Sequence, residues 1–130
     1  MSAKKIPSNL KYTVEHEWAD VNGDIATIGI TDFAQSSLGD IVFVELPAVG
    51  DKLEQGSTFG VVESIKSVSD LFAPFSGEVL EVNNKVVDSP ELLNNDAYSS
   101  WMIKIKISDK NQLKNLLDAK KYEEHCETAH

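Results

Sequence analysis

Few side chains in this sequence combine the type and the spacing that chemistry requires. The histidines are His16, His125 and His130, and the single cysteine is Cys126. His125 and Cys126 adjoin in a polar C-terminal stretch, where we predict no rigid element to hold them as a nucleophile and its base. Clustered metal ligands and the known nucleotide-binding or hydrolase motifs are missing. The sequence therefore predicts neither a metal site nor catalytic residues.

Lys66 is the conspicuous remaining candidate. It lies within residues 63–70, ESIKSVSD, between strand-like runs at 58–64 and 69–72. By composition alone, such a lysine is an ordinary solvated surface residue. The setting also suits covalent modification, because serines on both sides leave the amine accessible and a turn between paired strands is rigid. Acylation would remove the charge, so that an apolar arm could lie on the protein surface.

The segments around Lys66 are predicted to be mostly strands. Runs at 17–21 and 24–30 flank Asn22-Gly23, which predicts a hairpin whose two turn positions both have positive φ. We expect a buried strand at 41–46 and a further strand at 77–82. In residues 101–107 the side chains alternate between two faces. Met102, Lys104 and Lys106 are expected on one face, and the opposite, buried face is formed by Trp101, Ile103, Ile105 and Ile107.

Helices are predicted to be short. Thr31 or Asp32 begins one that ends near Leu38, with Gly39 as the stop. Ser89-Pro90-Glu91 begins a second one. A C-terminal helix is expected over about 109–122, followed by a polar, frayed tail at 123–130.

Two similar motifs flank Lys66 and suggest the architecture. Residues 39–44, GDIVFV, resemble residues 77–82, GEVLEV, and each is followed by an aspartate and then a leucine. Two related β units would place Lys66 on the connection between them. We therefore expect a single domain over 1–130 that is mainly β, a sandwich of two antiparallel sheets with Lys66 on an exposed turn.

Charge and hydropathy narrow the possible partners and location. The formal net charge is −9, which disfavours binding to nucleic acid or to an anionic membrane. No apolar run reaches the ~20 residues of a membrane span. The first residues do not resemble a secretory signal, and a lack of arginine disfavours a transit peptide. A cytoplasmic bacterial protein is the simplest interpretation, with a processed protein of the mitochondrial matrix as the alternative.

Several motifs, in order along nearly the whole chain, resemble one family. They are HEW at 16–18, GITDFAQSSLGDIVFVELP at 29–47, ESIKSVSD at 63–70 followed by APFSGEV, and WMIKIK at 101–106. Together they resemble glycine cleavage system H proteins, whose lipoyl-domain-like fold is a β sandwich or flattened barrel with short helices. Gly77, 11 residues after Lys66, matches the glycine of lipoyl and biotinyl domains. The tip Ile65-Lys66-Ser67 differs from the Met-Lys-Met of biotinyl domains and from the Asp-Lys-Ala of dehydrogenase lipoyl domains.

The resemblance implies a carrier, not an enzyme. Lipoate would be attached to Lys66 by an amide, with Glu63, Ser64, Ser67 and Gly77 in the attachment segment. The arm would take an aminomethyl group from glycine decarboxylase (P protein) to an aminomethyltransferase (T protein). Dihydrolipoyl dehydrogenase (L protein) would then reoxidise the dithiol, and a lipoyl-attaching enzyme is a further implied partner.

The resemblance also implies a surface cleft that receives the loaded arm. The positions that match it are Glu17, Ile30, Ala34, Ser37, Leu38 and Asp70. Our hypothesis is that Glu17 or Asp70 pairs with the cationic aminomethyl nitrogen, while the apolar residues pack on the arm. Some family members have histidine in place of Ser37, so no proton-handling role is assigned there.

Three other functions stay open at this point. The chain could carry lipoate for a 2-oxoacid dehydrogenase complex or relay lipoate during its assembly, using the same lysine. It could be a small enzyme that uses Cys126 or His125. It could also be an unmodified interaction domain built on a β sandwich.

Overall fold

The structure is a computed structural model that describes residues 6–128. Within that range nine strands form two antiparallel sheets. The strands are β1 (Lys11–Tyr12), β2 (Glu17–Asn22), β3 (Ile25–Ile30), β4 (Ile41–Glu45), β5 (Lys52–Leu53), β6 (Thr58–Ser64), β7 (Val68–Phe72), β8 (Gly77–Val82) and β9 (Ile103–Ile107). One sheet has the order β1-β2-β3-β9-β8-β5 and the other β4-β6-β7. The predicted sandwich is confirmed, in an open form rather than as a closed barrel.

The core lies between the sheets and follows the alternation of the strands. In β9, Ile103, Ile105 and Ile107 are buried, as predicted, because they share the inner face. Met102 is also fully buried, although it was expected on the outer face with Lys104. It precedes the strand, where its N–H donates to the Ile28 carbonyl and its side chain joins the core. The similar motifs fall on β4 and β8, one in each sheet.

Strand β4 departs from the prediction of a buried strand. Ile41 and Val44 are buried, but Val42 is 56% exposed and Phe43 46% exposed. The pairing with β6 shifts between Ile41 and Phe43, so a bulge breaks the simple alternation. The core covers only one face of the smaller sheet, so side chains on its other face, such as Phe43, are exposed.

The β2–β3 hairpin was placed one residue too early in the sequence analysis. Asn22 still pairs with Ile25, so the two-residue loop is Gly23-Asp24. Gly23 has a φ of 63°, and it is the one residue of this turn with positive φ. A glycine at the first loop position is typical of the type II′ hairpin turn.

Helix α1 (Asp32–Leu38) matches its prediction at both ends. The Thr31 hydroxyl accepts from the Ala34 N–H as the N-cap, and Gly39, with a φ of 83°, ends the helix. Short helices α2 (Asn84–Asp88) and α3 (Leu92–Asn95) follow β8. The short helix predicted after Ser89 is present as α3, but it begins later than predicted: Glu91 is its N-cap, and Ser89 instead ends α2, which was not predicted.

The predicted C-terminal helix over about 109–122 is wrong. A 3₁₀ helix covers Lys110–Asn115, and α4 covers Ala119–Thr128. Between them Leu117 forms a β bridge with Tyr12, which draws the chain into an extended conformation and divides the helix. The tail expected at 123–130 is helical through Thr128, and the last two residues lie outside the described range. Over residues 6–128, no helix is long and apolar enough to span a membrane.

Candidate functional site

Lys66 lies on the turn of the β6–β7 hairpin. The strands pair up to Glu63 and Val68, and the Ser64 N–H donates to the Ser67 carbonyl over 2.8 Å. The Ser64 hydroxyl accepts from the backbone N–H groups of Ser67, at 3.1 Å, and Lys66, at 3.3 Å. One buried serine side chain therefore holds the backbone on both sides of the lysine.

The same turn is also fixed to the start of β4. The Ile65 N–H donates to the Asp40 carbonyl over 3.0 Å. The Lys66 side chain crosses Gly39, where its Cε lies 3.4 Å from the position that a Cβ would occupy. The base of the lysine is thus immobilised by two elements.

The end of the Lys66 side chain is available for reaction. Lys66 and Ser67 are exposed, and Ile65 is 71% exposed. No carboxylate of the described residues lies within salt-bridge distance of the Lys66 ammonium. The amine is therefore neither buried nor held by an ion pair, which is the condition for enzymatic acylation.

Glu63 lies on the outer face of the smaller sheet, among alternating apolar and acidic positions. The pairing places Phe43, Glu63 and Val68 in one row across the three strands. The next row on this face is Glu45, Val61 and Asp70. Three carboxylates thus alternate with three apolar side chains directly beside the lysine turn.

Gly77 lies in the other sheet, at the start of β8. A Cβ at this position would lie 2.2 Å from the Lys106 carbonyl oxygen, so a larger residue would force the strands apart. Strand packing therefore explains why this position is a glycine.

A cleft of about 430 Å³ lies between the turn that precedes β2, helix α1 and strand β7. The residues that line it are Glu15, His16, Phe33, Ala34, Ser37, Leu38 and Ser69. Three of the six positions expected from the resemblance, Ala34, Ser37 and Leu38, are therefore brought together. Leu38, which lines the cleft, directly precedes Gly39, over which the Lys66 side chain passes.

Glu17 and Ile30 are buried rather than part of this lining. Ile30 is 2% exposed and belongs to the core. Glu17 is 1% exposed, and its carboxylate accepts from the Thr13 hydroxyl and from the Phe72 N–H. Burial, opposed by these hydrogen bonds, raises the pKa of Glu17 to about 7. The structure therefore places Glu17 in the interior and not among the residues that line the cleft.

Asp70 is exposed but is not among the residues that line the cleft. It pairs with Val61 on the outer face, whereas its neighbour Ser69 pairs with the buried Val62 and lines the cleft. Successive strand residues point to opposite faces, so Asp70 is directed away from Ser69.

The sequence analysis missed the aromatic wall of the cleft. His16, which has a φ of 74°, stacks on Phe33 with ring centroids 4.5 Å apart. Its Nδ1 lies 2.8 Å from the hydroxyl of Tyr122 in α4. Burial and the neighbouring His125 lower the pKa of His16 to about 4, so the ring is neutral at pH 7. The HEW motif marked this position, but nothing local indicated a contact across 106 residues.

His125 and Cys126 have the rigid element that the sequence analysis did not predict for them. Both lie in α4, where the His125 ring is 5.4 Å from that of His16 and its Nε2 is 2.9 Å from the Val14 carbonyl. The side chains of residues 6–127 contain no group of three or more metal-binding residues placed to hold an ion.

An open two-sheet sandwich that presents an unpaired lysine on a braced hairpin, beside a partly apolar cleft, defines the class of lipoyl-type carrier domains. Comparison with known proteins agrees. The model of the glycine cleavage H-protein family matches residues 10–129. The glycine cleavage system H protein of Carboxydothermus hydrogenoformans is 57% identical over 123 residues, covering 94% of this chain and 95% of the relative.

A second relative and a solved structure give the same result. The glycine cleavage system H protein of Acidobacterium capsulatum is 56% identical over 117 residues, covering 90% of this chain and 91% of that protein. The crystal structure of the Mycobacterium marinum H protein superposes with a TM-score of 0.82 at 40% identity, covering 90% and 95% of the two chains. The chain belongs to the glycine cleavage H-protein family, and its function is that of the lipoate carrier of the glycine cleavage system.

Proposed function

We propose that Lys66 is the residue that carries lipoate and that the chain has no catalytic activity of its own. The supporting observation is the exposed, unpaired Lys66 amine on a turn whose backbone is fixed by Ser64 and Asp40. Attachment would join Nζ to the carboxyl carbon of activated lipoate, with loss of an amine proton and departure of the activating group. The carbon–nitrogen bond so formed is an uncharged amide, so the arm can contact apolar surface.

The lipoyl group would supply a disulfide that accepts the aminomethyl group and is later restored by oxidation. The chain itself would supply the anchor, the cleft and the docking surfaces. The partners in this proposal are glycine decarboxylase, the aminomethyltransferase, dihydrolipoyl dehydrogenase and a lipoyl-attaching enzyme. A bacterial cytoplasmic location is part of the same proposal.

The proposal extends to the cleft as the resting place of the loaded arm. Phe33, Ala34 and Leu38 offer apolar contacts to a hydrocarbon chain, and Ser37 and Ser69 offer hydroxyls. Glu15 is the carboxylate that lines the cleft, and it lies near enough to Glu17 to raise that residue's pKa. A cationic amine beside this pair would be attracted to Glu15 and would favour ionisation of Glu17.

Intact mass tests the attachment. The wild-type chain, incubated with a lipoate ligase, lipoate and ATP, should gain one lipoyl increment, and peptide mapping should place it on Lys66. Lys66→Arg should gain none, while Lys104→Arg, a change at another lysine, should gain the same increment as wild type. Failure of wild type to gain the increment, or its retention in Lys66→Arg, contradicts the proposal.

Glycine-dependent exchange of bicarbonate, catalysed by glycine decarboxylase, tests the role of the lipoylated chain. We expect exchange with the lipoylated wild type and background exchange with Lys66→Arg. Lipoylated protein that supports no exchange, but is reduced by a 2-oxoacid dehydrogenase, would instead support the alternative carrier role.

Two matched variants test which carboxylate serves the cleft. Release of the aminomethyl cargo by water, detected as formaldehyde, should be several-fold faster in Glu15→Gln because the cargo loses the carboxylate that lines the cleft. Glu17→Gln tests the buried acid in the same assay. If Glu17→Gln releases cargo at the wild-type rate, Glu17 has no role in protecting the cargo. If Glu15→Gln does so, Glu15 has none.

A further inference from the structure

We propose that Tyr122 is a positioning residue that holds the two walls of the arm cleft at a fixed separation. The inference rests on the proposed function, because it concerns the cleft in which the arm would lie. One wall is the turn that contains Glu15 and His16, and the other is helix α1. Tyr122 belongs to neither wall, since it lies in the C-terminal helix α4.

The Tyr122 hydroxyl bridges the two walls. It lies 2.8 Å from Nδ1 of His16 and 2.6 Å from the Thr31 hydroxyl. The Thr31 hydroxyl in turn accepts from the Ala34 N–H, so it is the cap on which the first turn of α1 depends. A chain of hydrogen bonds therefore runs from the His16 ring through Tyr122 to the helix that carries Phe33, Ala34, Ser37 and Leu38.

Tyr122 is itself held rigidly. Its side chain is fully buried, and its ring stacks on Tyr12 with centroids 4.5 Å apart and planes 8° from parallel. Tyr12 belongs to β1 and forms the bridge with Leu117 just before α4. The hydroxyl thus has a fixed position that is set by the sheet rather than by either wall of the cleft.

The walls also contact each other directly, which limits the size of the effect, because the His16 ring stacks on Phe33 of α1. The Thr31 N–H donates to the His16 carbonyl over 3.1 Å, and this backbone bond would survive loss of the Tyr122 hydroxyl. Removing the hydroxyl would leave the backbone link and the ring stacking, but it would take a hydrogen bond from the His16 ring and deprive the helix cap of its second partner. The cleft would become more mobile without unfolding.

Tyr122→Phe tests the inference because it keeps the ring and its stacking and removes the hydroxyl, which bonds Cys126 of the same helix as well as the two ends of the bridge. The matched control is Tyr12→Phe, in which the other ring of the same stack loses a hydroxyl that bonds the Pro7 carbonyl. In the unmodified protein, amide hydrogen exchange at Thr31 and Ala34 should be about tenfold faster in Tyr122→Phe than in wild type. It should be unchanged in Tyr12→Phe.

A second measurement uses the loaded protein. Release of the aminomethyl cargo as formaldehyde should be three- to tenfold faster in Tyr122→Phe, while the rate of lipoyl attachment to Lys66 stays at the wild-type value. A Thr31→Ala variant breaks the same bridge from its other end. The double variant should therefore release cargo no faster than Thr31→Ala alone.

The outcomes separate the two proposals. If wild type gains no lipoyl group, the proposed function fails. If wild type is lipoylated, but Tyr122→Phe matches it in exchange and release, the inference alone fails. Equal acceleration in Tyr122→Phe and Tyr12→Phe would also overturn it, since the effect would then come from lower stability rather than from the bridge.

Discussion

The Lys66 turn and the bridge centred on Tyr122 stabilise neighbouring surfaces in opposite ways. At the turn, the bonds join residues that are close in sequence or lie just before the adjacent strand, and the lysine side chain is exposed. At the bridge, hydroxyl and imidazole groups 91 and 106 residues apart meet in the interior. A modification site needs a fixed backbone beneath an accessible side chain, whereas a cleft needs fixed side chains.

This difference predicts that the two regions will respond differently to truncation. Tyr122→Ala should lower the free energy of unfolding by about 3–5 kcal/mol, because it removes a fully buried ring and strands two hydrogen-bonding groups. Ile65→Ala, beside Lys66, should change it by less than about 0.5 kcal/mol, since Ile65 is 71% exposed. Urea unfolding measures both, and similar losses would contradict the contrast.

Glu17 connects the two regions, since it follows His16 and binds the N–H of Phe72 at the end of the Lys66 hairpin. The pKa of Glu17 is about 7 in the folded chain and near 4.5 in the unfolded chain. Between pH 4.5 and pH 7, the folded state therefore retains a proton that the unfolded state has lost. Raising the pH from 4.5 to 7 therefore weakens the fold through Glu17, by about 3 kcal/mol.

His16 contributes a slope of the opposite sign. Its pKa in the folded chain, about 4, lies below the usual 6.5, so raising the pH between these values strengthens the fold. The two contributions offset each other in wild type. In Glu17→Gln the stability should rise more steeply from pH 4.5 to 6.5, as measured by urea unfolding at each pH. A variant profile parallel to that of wild type would show that Glu17 titrates normally.

Gly39 is the boundary between the regions, because it ends α1 and lies under the Lys66 chain. Gly39→Ala should cost about 1–2 kcal/mol, since a φ of 83° strains a residue with a Cβ. Gly23→Ala is the control: its φ of 63° is similar, and no atom lies within 4 Å of the added Cβ. Thermal unfolding should give similar costs, and a much larger loss at Gly39 would show that Lys66 cannot move aside.

The smallest expected effect lies within the turn itself. Ser64→Ala removes the hydroxyl that accepts from the backbone of Lys66 and Ser67, and should cost about 1 kcal/mol. Ser67→Ala, at an exposed position, should cost less than about 0.5 kcal/mol. Chemical denaturation of both variants resolves the difference, and the reverse order would mean that Ser64 does not hold the turn.

The same contrast explains what the sequence could predict. The hairpin around Lys66 and the start and end of α1 depend on strand alternation, a cap three residues from its partner and a glycine stop, all of which are local. The β bridge of Leu117 with Tyr12 and the contacts of Tyr122 with His16 and Thr31 depend on tertiary packing. The β bridge interrupts the helix that was predicted over 109–122, and the contacts of Tyr122 hold the aromatic wall of the cleft. No spacing in the sequence indicated either feature.

The hydrogen bond from Ile65 to Asp40 has a consequence for any arm attached to Lys66. Because it ties the tip of the hairpin to β4, the attachment point does not travel when the arm moves. The distance from this attachment point to each wall of the cleft is then set by the backbone fold. The length of the attached chain then decides which of its atoms can reach the cleft, so the protein would discriminate among acyl groups by length as well as by chemistry.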